Sequence, residues 1–252
     1  MSLNPVPVIR AIMIGDELLS GRREDVHLKR LIECLKQRGL LLSGAEFIGD
    51  DVNRLTAVLQ RSMTTADIVF CFGGIGATPD DCTRQAAAAA ARLPLVRHAG
   101  AVAEIEDQYG EEAYPKRILM ADLPQGAALI PNTFNRVPGF SIGSHHFMPG
   151  FPEIAWPMID WILDTKYAHL FHQHYNTEQA ILVLDGIESQ LIDLMNDLSI
   201  RYPEIRIFSL PKLGPQRTIE LGAKGPASEV DTVMEALREG VSKAGFQWLE
   251  IR

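Results

Sequence analysis

Ile68-Val69-Phe70-Cys71-Phe72-Gly73-Gly74-Ile75-Gly76-Ala77-Thr78-Pro79-Asp80-Asp81-Cys82-Thr83 is the stretch that decides the fold. Its first five residues are all apolar and rich in β-branched and aromatic side chains. Such a run reads as a strand buried on both faces, the kind found in parallel sheets. The glycines that follow let the backbone approach a ligand and turn successive N–H groups toward it. The helix expected after the loop adds the partial positive charge of its N-terminus. The loop is therefore a candidate phosphate cradle; the plainer alternative is a tight turn in which Asp80 or Asp81 only caps the helix. A dehydrogenase-type dinucleotide fingerprint does not fit. G-x-G-x-x-G would follow the first strand, whereas Gly74-x-Gly76 runs into Thr78-Pro79 after the third.

Toward the N-terminus the same alternation recurs. Residues 8–14 form a short apolar run ending at Gly15, as a buried strand would. Leu28, Leu31, Ile32 and Leu35 then fall at helical spacing, with Gly39 as a stop. Residues 40–48 read as a second strand. Asp50-Asp51 supplies an N-cap for a helix with Leu55, Val58, Leu59 and Met63 inside. Three strand–helix units in series imply a parallel sheet covered by helices on both faces.

Toward the C-terminus, residues 93–149 give one expected helix near 101–109 and turn signals at Pro124, Pro131 and Pro138-Gly139, with His145-His146 read as a further turn. A long helix over 153–166 closes the domain. Residues 169–177 are polar and read as a linker, so His169-x-x-His172-x-His174 is taken as solvated rather than metal-binding. The tail orders strand 179–184, helix 188–202, strands 206–211 and 217–222, helix 227–244 and strand 247–251. This βαββαβ order is the split arrangement of a ferredoxin-like domain. Gly222-Ala223-Lys224-Gly225 is a GxxG string, but it is expected to join a strand to a helix, not two helices as in an RNA-clamping loop.

The bulk numbers bound the function. With 252 residues, 46% hydrophobic and 22% charged, the chain is globular and long enough for a large domain plus a small one. A net charge of −8 without Lys/Arg clusters argues against a nucleic-acid partner. No apolar run approaches the ~18 residues of a membrane span, and the N-terminus lacks a signal-peptide pattern, so a cytoplasmic protein is expected. Cys34, Cys71 and Cys82 have neither redox nor zinc spacing and are read as reduced thiols.

Gly15-Asp16-Glu17-Leu18-Leu19-Ser20-Gly21 leaves the first strand at the same sheet edge as the glycine loop, and Asp50-Asp51 leaves the second. In open α/β sheets that edge is where ligands bind. Carboxylates converging beside a phosphate repel one another, and a divalent cation with oxygen ligands reconciles the two. Asp16, Glu17, Asp50, Asp80 and Asp81 are therefore candidate ligands for Mg, Mn or Co. Asp51 is more simply a cap.

Gly15 to Gly21, Gly49-Asp50-Asp51 and Gly73-Gly74-x-Gly76-x-Thr78-x-Asp80-Asp81-x-Thr83 resemble the three blocks of the CinA N-terminal domain, which shares the molybdopterin-binding fold of the MoaB/Mog adenylyltransferases. Leu123-Pro124-Gln125-Gly126-Ala127, Asn132, Pro138-Gly139 and Pro149-Gly150-x-Pro152 resemble the family's later blocks. The tail from Thr177 resembles the small KH-like domain that follows in CinA. The fold implied is α/β: a three-layer parallel-sheet molybdopterin-binding-like domain over 1–168, then a small α+β domain over 177–252. The form expected from the resemblance is one without the amidase domain, so that amidase activity is not implied.

The resemblance implies a metal-dependent pyrophosphatase acting on ADP-ribose-like nucleotide diphosphates, with Asp81 and Asp50 as the carboxylates on which catalysis depends. It places Gly15, Ser20, Gly21, Gly73, Gly74, Gly76, Thr78, Thr83, Asn132 and Gly150 against an anionic ligand, a nucleotide diphosphate or a pterin phosphate such as molybdopterin, and implies a homo-oligomer. The chain departs from the family at Asp25-Val26-His27 (usually Asp-x-Asn), Ala77 (Pro), Leu119 (Lys), Asn135-Arg136-Val137 (Gly-Thr-Ala) and Glu153-Ile154 (Ser-Glu). The alternative is accordingly a non-catalytic protein that binds a molybdopterin or nucleotide phosphate. Adenylylation of molybdopterin is a third, weaker option.

Overall fold

Strand β1 (Ile9–Ile14) is buried at every position but Arg10, because both of its faces carry apolar side chains. After it come α1 (Asp16–Leu19), α2 (His27–Gln37), β2 (Gly44–Ile48), α3 (Val52–Met63), β3 (Ile68–Phe72), α4 (Thr83–Ala91), β4 (Leu95–Arg97), α5 (Ala99–Tyr109), β5 (Asp122–Pro124), β6 (Ala128–Ile130), β7 (Gly139–Ile142), β8 (His145–Met148) and α6 (Pro152–Lys166). This computed structural model describes residues 7–173, 176–212, 214 and 216–251. The chain divides into two compact units, Met1–Phe171 and His172–Arg252.

In the first unit six strands lie in the order β2-β1-β3-β8-β7-β6. The pairs β1–β2, β1–β3 and β3–β8 are parallel, while β7 is antiparallel to both β8 and β6. The alternation of side chains along each strand sorts the core into two layers. Ile12, Ile14, Val69, Cys71 and Phe147 pack under α3, α4 and α5, whereas Ile9, Ala11, Met13, Phe70 and Phe72 pack under α2 and α6. Helices on both faces make this a three-layer α/β sandwich, and the carboxyl ends of β1, β2 and β3 open on one edge.

The sheet is thus mixed rather than purely parallel, and the difference arises in residues 128–148, where β7 runs antiparallel to its neighbours β6 and β8. His145-His146 is not a turn. Gly143, at φ +56°, and Ser144 make the turn, and both histidines lie inside β8, 3% and 0% exposed. Their polarity is satisfied locally. His145 Nε2 lies 2.8 Å from Ser62 Oγ, while His146 bonds Ser141 Oγ at 2.8 Å and Tyr167 Oη at 2.7 Å. Burial holds both rings neutral, pushing their pKa values down to about 4 and about 3. The second strand begins only at Gly44, so 40–43 is approach rather than strand.

The second unit runs β9 (Asn176–Leu184), α7 (Ile192–Arg201), β10 (Arg206–Lys212), β11 (Thr218–Pro226), α8 (Ala227–Lys243) and β12 (Gln247–Glu250). Its sheet order is β10-β11-β9-β12, antiparallel throughout, which is the ferredoxin-like arrangement. Val230, Val233, Met234, Leu237 and Val241 of α8 close its core against Ile181, Val183, Ile219 and Leu221. The GxxG string lies within β11, with Gly222, Ala223 and Lys224 paired on both sides and Gly225 paired with β9, so it joins no elements at all. Residues 1–6, His174 and Arg252 lie outside the described residues.

Candidate functional site

Gly73 ends β3 at φ +109°, where a side chain is disfavoured and a Cβ would stand 2.2 Å from the Ile14 carbonyl oxygen. Only glycine lets the backbone leave the sheet this close to β1. The loop that follows is pulled down by its carbonyls. Thr83 Oγ1 donates to Gly73 O at 2.9 Å, Thr83 N to Gly74 O at 2.9 Å, and Arg84 Nη2 to Gly76 O at 2.7 Å. Arg84 itself is 4% exposed and also donates to the carbonyls of Leu119 and Asp122, so its charge is spent on backbone. Asp81 closes the turn, accepting from Thr78 N at 3.0 Å and from Thr78 Oγ1. A Cβ on Gly76 would meet that carboxylate at 2.4 Å.

While the carbonyls of Gly73, Gly74 and Gly76 are occupied, the N–H groups of Gly74, Ile75, Gly76 and Ala77 make no hydrogen bond within the described residues. Unpaired backbone donors next to a cavity are an anion-binding arrangement. These four residues line a cavity of about 410 Å³, within the range of small-molecule sites.

The cavity gathers Gly15, Glu17, Asp50, Gly73, Gly74, Gly76, Thr78, Asp80, Asp81, Asn132 and Gly150. Other expected ligand residues lie elsewhere. Thr83 is fully buried and faces the loop backbone, Gly21 lines a separate groove, and Ser20 Oγ donates to Glu17 O at 3.3 Å on the exposed side. Asp16 also stays off the wall, because its carboxylate accepts from Asp50 N at 3.2 Å while Asp50 Oδ2 accepts from Asp16 N at 2.9 Å. That reciprocal pair ties the ends of β1 and β2 together. Asn132 reaches the wall, yet its amide is committed to Val137 O at 2.8 Å and Phe134 N at 2.9 Å, stapling its own loop.

Electrostatics set Asp50 apart. Partial burial raises its pKa, and the carboxylates of Asp16, Glu17 and Asp80 push it further up against the lowering hydrogen bond from Asp16 N. Asp80, fully exposed, is held below the usual range by Thr78 and backbone amides. Asp51 is lowered by the amides of Arg54 and Asn53, as an N-cap of α3 should be. The donor set of the wall is therefore all hard oxygen, which suits Mg²⁺ or Mn²⁺. Among the described residues no three His, Cys, Asp or Glu side chains are arranged to hold a metal ion. A cation here would rest on one or two carboxylates, Asp50 and Glu17 being the pair on the crowded side.

Wall residues that sequence reasoning did not single out as ligand contacts include Arg23, Phe151 and Tyr109. Among the described residues Arg23 supplies the one Lys or Arg side chain on the wall, Phe151 lies in the turn after β8, and Tyr109 ends α5. The signals that could have found them were an arginine in the loop after the first strand and an aromatic ring inside Pro149-Gly150-Phe151-Pro152. His27 stacks on Phe72 with ring centroids 4.9 Å apart, and its ring lines a small cleft with Gly150. Burial keeps that imidazole neutral.

Comparison with known proteins adds identity to this geometry. A CinA-like protein of Anaeromyxobacter dehalogenans is 31% identical over 170 residues, covering 64% of this chain and 42% of that protein. The chain thus spans less than half the length of such relatives. A protein of Caldivirga maquilingensis is 28% identical over 248 residues, 92% of this chain and 95% of its own. The crystal structure of a CinA protein of unknown function from Thermoplasma acidophilum shares the fold at TM-score 0.57 and 24% identity, covering 62% of this chain and 96% of that one. Residues 10–169 match the family described as "Probable molybdopterin binding domain", and the chain belongs to that family as a CinA-like member.

Proposed function

We propose that the first unit binds a phosphate-bearing small molecule on the glycine loop and, with a divalent cation, hydrolyses a nucleotide diphosphate of the ADP-ribose kind. The observation that carries this reading is the pairing of four free loop N–H groups with a carboxylate-lined wall in one cavity. The N–H groups neutralise phosphate oxygens, and Arg23 adds a full positive charge at the rim. Asp81 keeps the loop in its binding shape through Thr78. Asp50 and Glu17 would hold the cation, whose binding offsets both the burial and the carboxylate repulsion that together raise the Asp50 pKa. A bound cation supplies Lewis acidity toward the diphosphate and a water of lowered pKa. Mg²⁺ commonly takes one or two carboxylates plus substrate phosphates, so a wall without a three-carboxylate cage is compatible with this chemistry.

Incubation of the purified chain with ADP-ribose, FAD and related dinucleotides, with Mg²⁺, Mn²⁺ or Co²⁺ or with EDTA, tests the proposal. AMP and ribose 5-phosphate should appear from ADP-ribose only with metal, and Asp50→Asn and Asp81→Asn should each lower the rate by ~10²-fold or more, the scale of losing a group that positions transition-state charge. Saturable ADP-ribose binding without product would instead support the second reading, a non-catalytic binder of a nucleotide or molybdopterin phosphate. That reading is motivated by the departures from the family pattern at Leu119, Arg136 and Ile154. Self-association is a separate proposal, and sedimentation velocity decides it.

A further inference from the structure

Phe151 is 57% exposed yet lines the cavity, and the Arg23 guanidinium stands 5.8 Å from its ring centroid. Both are held by their backbones. The Phe151 carbonyl accepts from Ile154 N at 3.0 Å and Ala155 N at 2.8 Å, so the start of α6 fixes the residue; Arg23 N donates to Glu17 O at 3.1 Å. An exposed phenyl ring gains nothing from water, and a guanidinium laid over it is a planar cation whose position is already restricted. Together they offer two flat surfaces beside a phosphate cradle. The cavity is also far larger than one phosphate requires, since a water molecule's share of liquid volume is only about 30 Å³ and the cavity measures about 410 Å³.

We infer that Arg23 and Phe151 form the subsite for a planar heterocycle, so that the preferred ligand is a nucleoside or pterin phosphate rather than a base-free sugar phosphate or pyrophosphate. The inference rests on the proposed phosphate cradle and adds the selectivity of that site. The heterocycle stacks on the phenyl ring and guanidinium while its phosphate reaches the glycine loop. Stacking of a base on an aromatic side chain corresponds to roughly ten- to hundredfold in affinity. Phe151 and Arg23 act here as specificity residues, not as catalytic ones.

AMP and ribose 5-phosphate differ by the base alone, and calorimetry of the full chain with each, in Mg²⁺, isolates its contribution. Wild-type protein should bind AMP about tenfold or more tightly than ribose 5-phosphate. Phe151→Leu should bring that ratio close to one, Phe151→Trp should keep it, and Arg23→Gln should reduce it; circular dichroism confirms that each variant is folded. Equal binding of the two ligands by the wild type, or a ratio untouched by Phe151→Leu, overturns the inference and leaves the cradle standing. Failure of AMP, ribose 5-phosphate and ADP-ribose alike to bind overturns both.

Discussion

The hydroxyl of Thr83 holds the Gly73 carbonyl at 2.9 Å in a fully buried position. Removing the hydroxyl at constant shape leaves that carbonyl without a side-chain partner, so Thr83→Val should destabilise the first unit by ~1–3 kcal/mol, read as a lower urea midpoint. An unchanged midpoint would mean the loop does not depend on this bond. The residue type at 83 was legible and its orientation was not. A threonine following a glycine loop suits a ligand as well as it suits a backbone staple, and only the helix register of α4 decides which way it faces. Asp16 illustrates the same limit, because its neighbour Glu17 reaches the cavity while Asp16 is captured by the Asp50 amide. Asp50, Asp81 and the wall glycines Gly15, Gly73, Gly74, Gly76 and Gly150 were legible as residues of one cavity because they sit at strand ends or in the loops that leave them, whereas Gly21 lines a separate groove.

Among the elements, β8 tests how buried polarity behaves. His145 and His146 titrate near 6.5 when unfolded but are lowered to about 4 and about 3 in the fold. For a base with a depressed folded pKa, the unfolded state takes up protons first as pH falls. Stability from these two groups is therefore complete above pH ~6.5 and lost below it, at up to about 1.4 kcal/mol per pH unit for each ring. Urea denaturation at pH 7 and pH 5 should show a clear loss, and a His145→Gln/His146→Gln variant should lose less over the same interval. Identical pH slopes for the two proteins would contradict the buried, neutral assignment. The element was hidden in the sequence because two adjacent histidines mimic a polar turn. Their partners Ser62, Ser141 and Tyr167 come from three other segments, which local periodicity does not register. The strand–helix alternation over 9–91 was readable because each element carries its own burial period, and the same holds for βαββαβ in the tail.

The chain as a whole is acidic, at −8 in net charge, and among the described residues the cavity wall brings Glu17, Asp50, Asp80 and Asp81 together with the loop residues 74–77 and one arginine, Arg23. That contrast is what a ligand of mixed character, anionic at one end and planar at the other, would satisfy. Among the described residues no helix is long and apolar enough to cross a membrane. The central claim is that the loop amides hold the phosphate, and amide-resolved NMR of the ¹⁵N-labelled chain titrated with ADP-ribose in Mg²⁺ tests it most directly. The account predicts saturable shifts at the N–H signals of Gly74, Ile75, Gly76 and Ala77, larger than those of Thr83 and Gly21. Perturbation centred elsewhere, with those four signals unmoved at saturation, would contradict it.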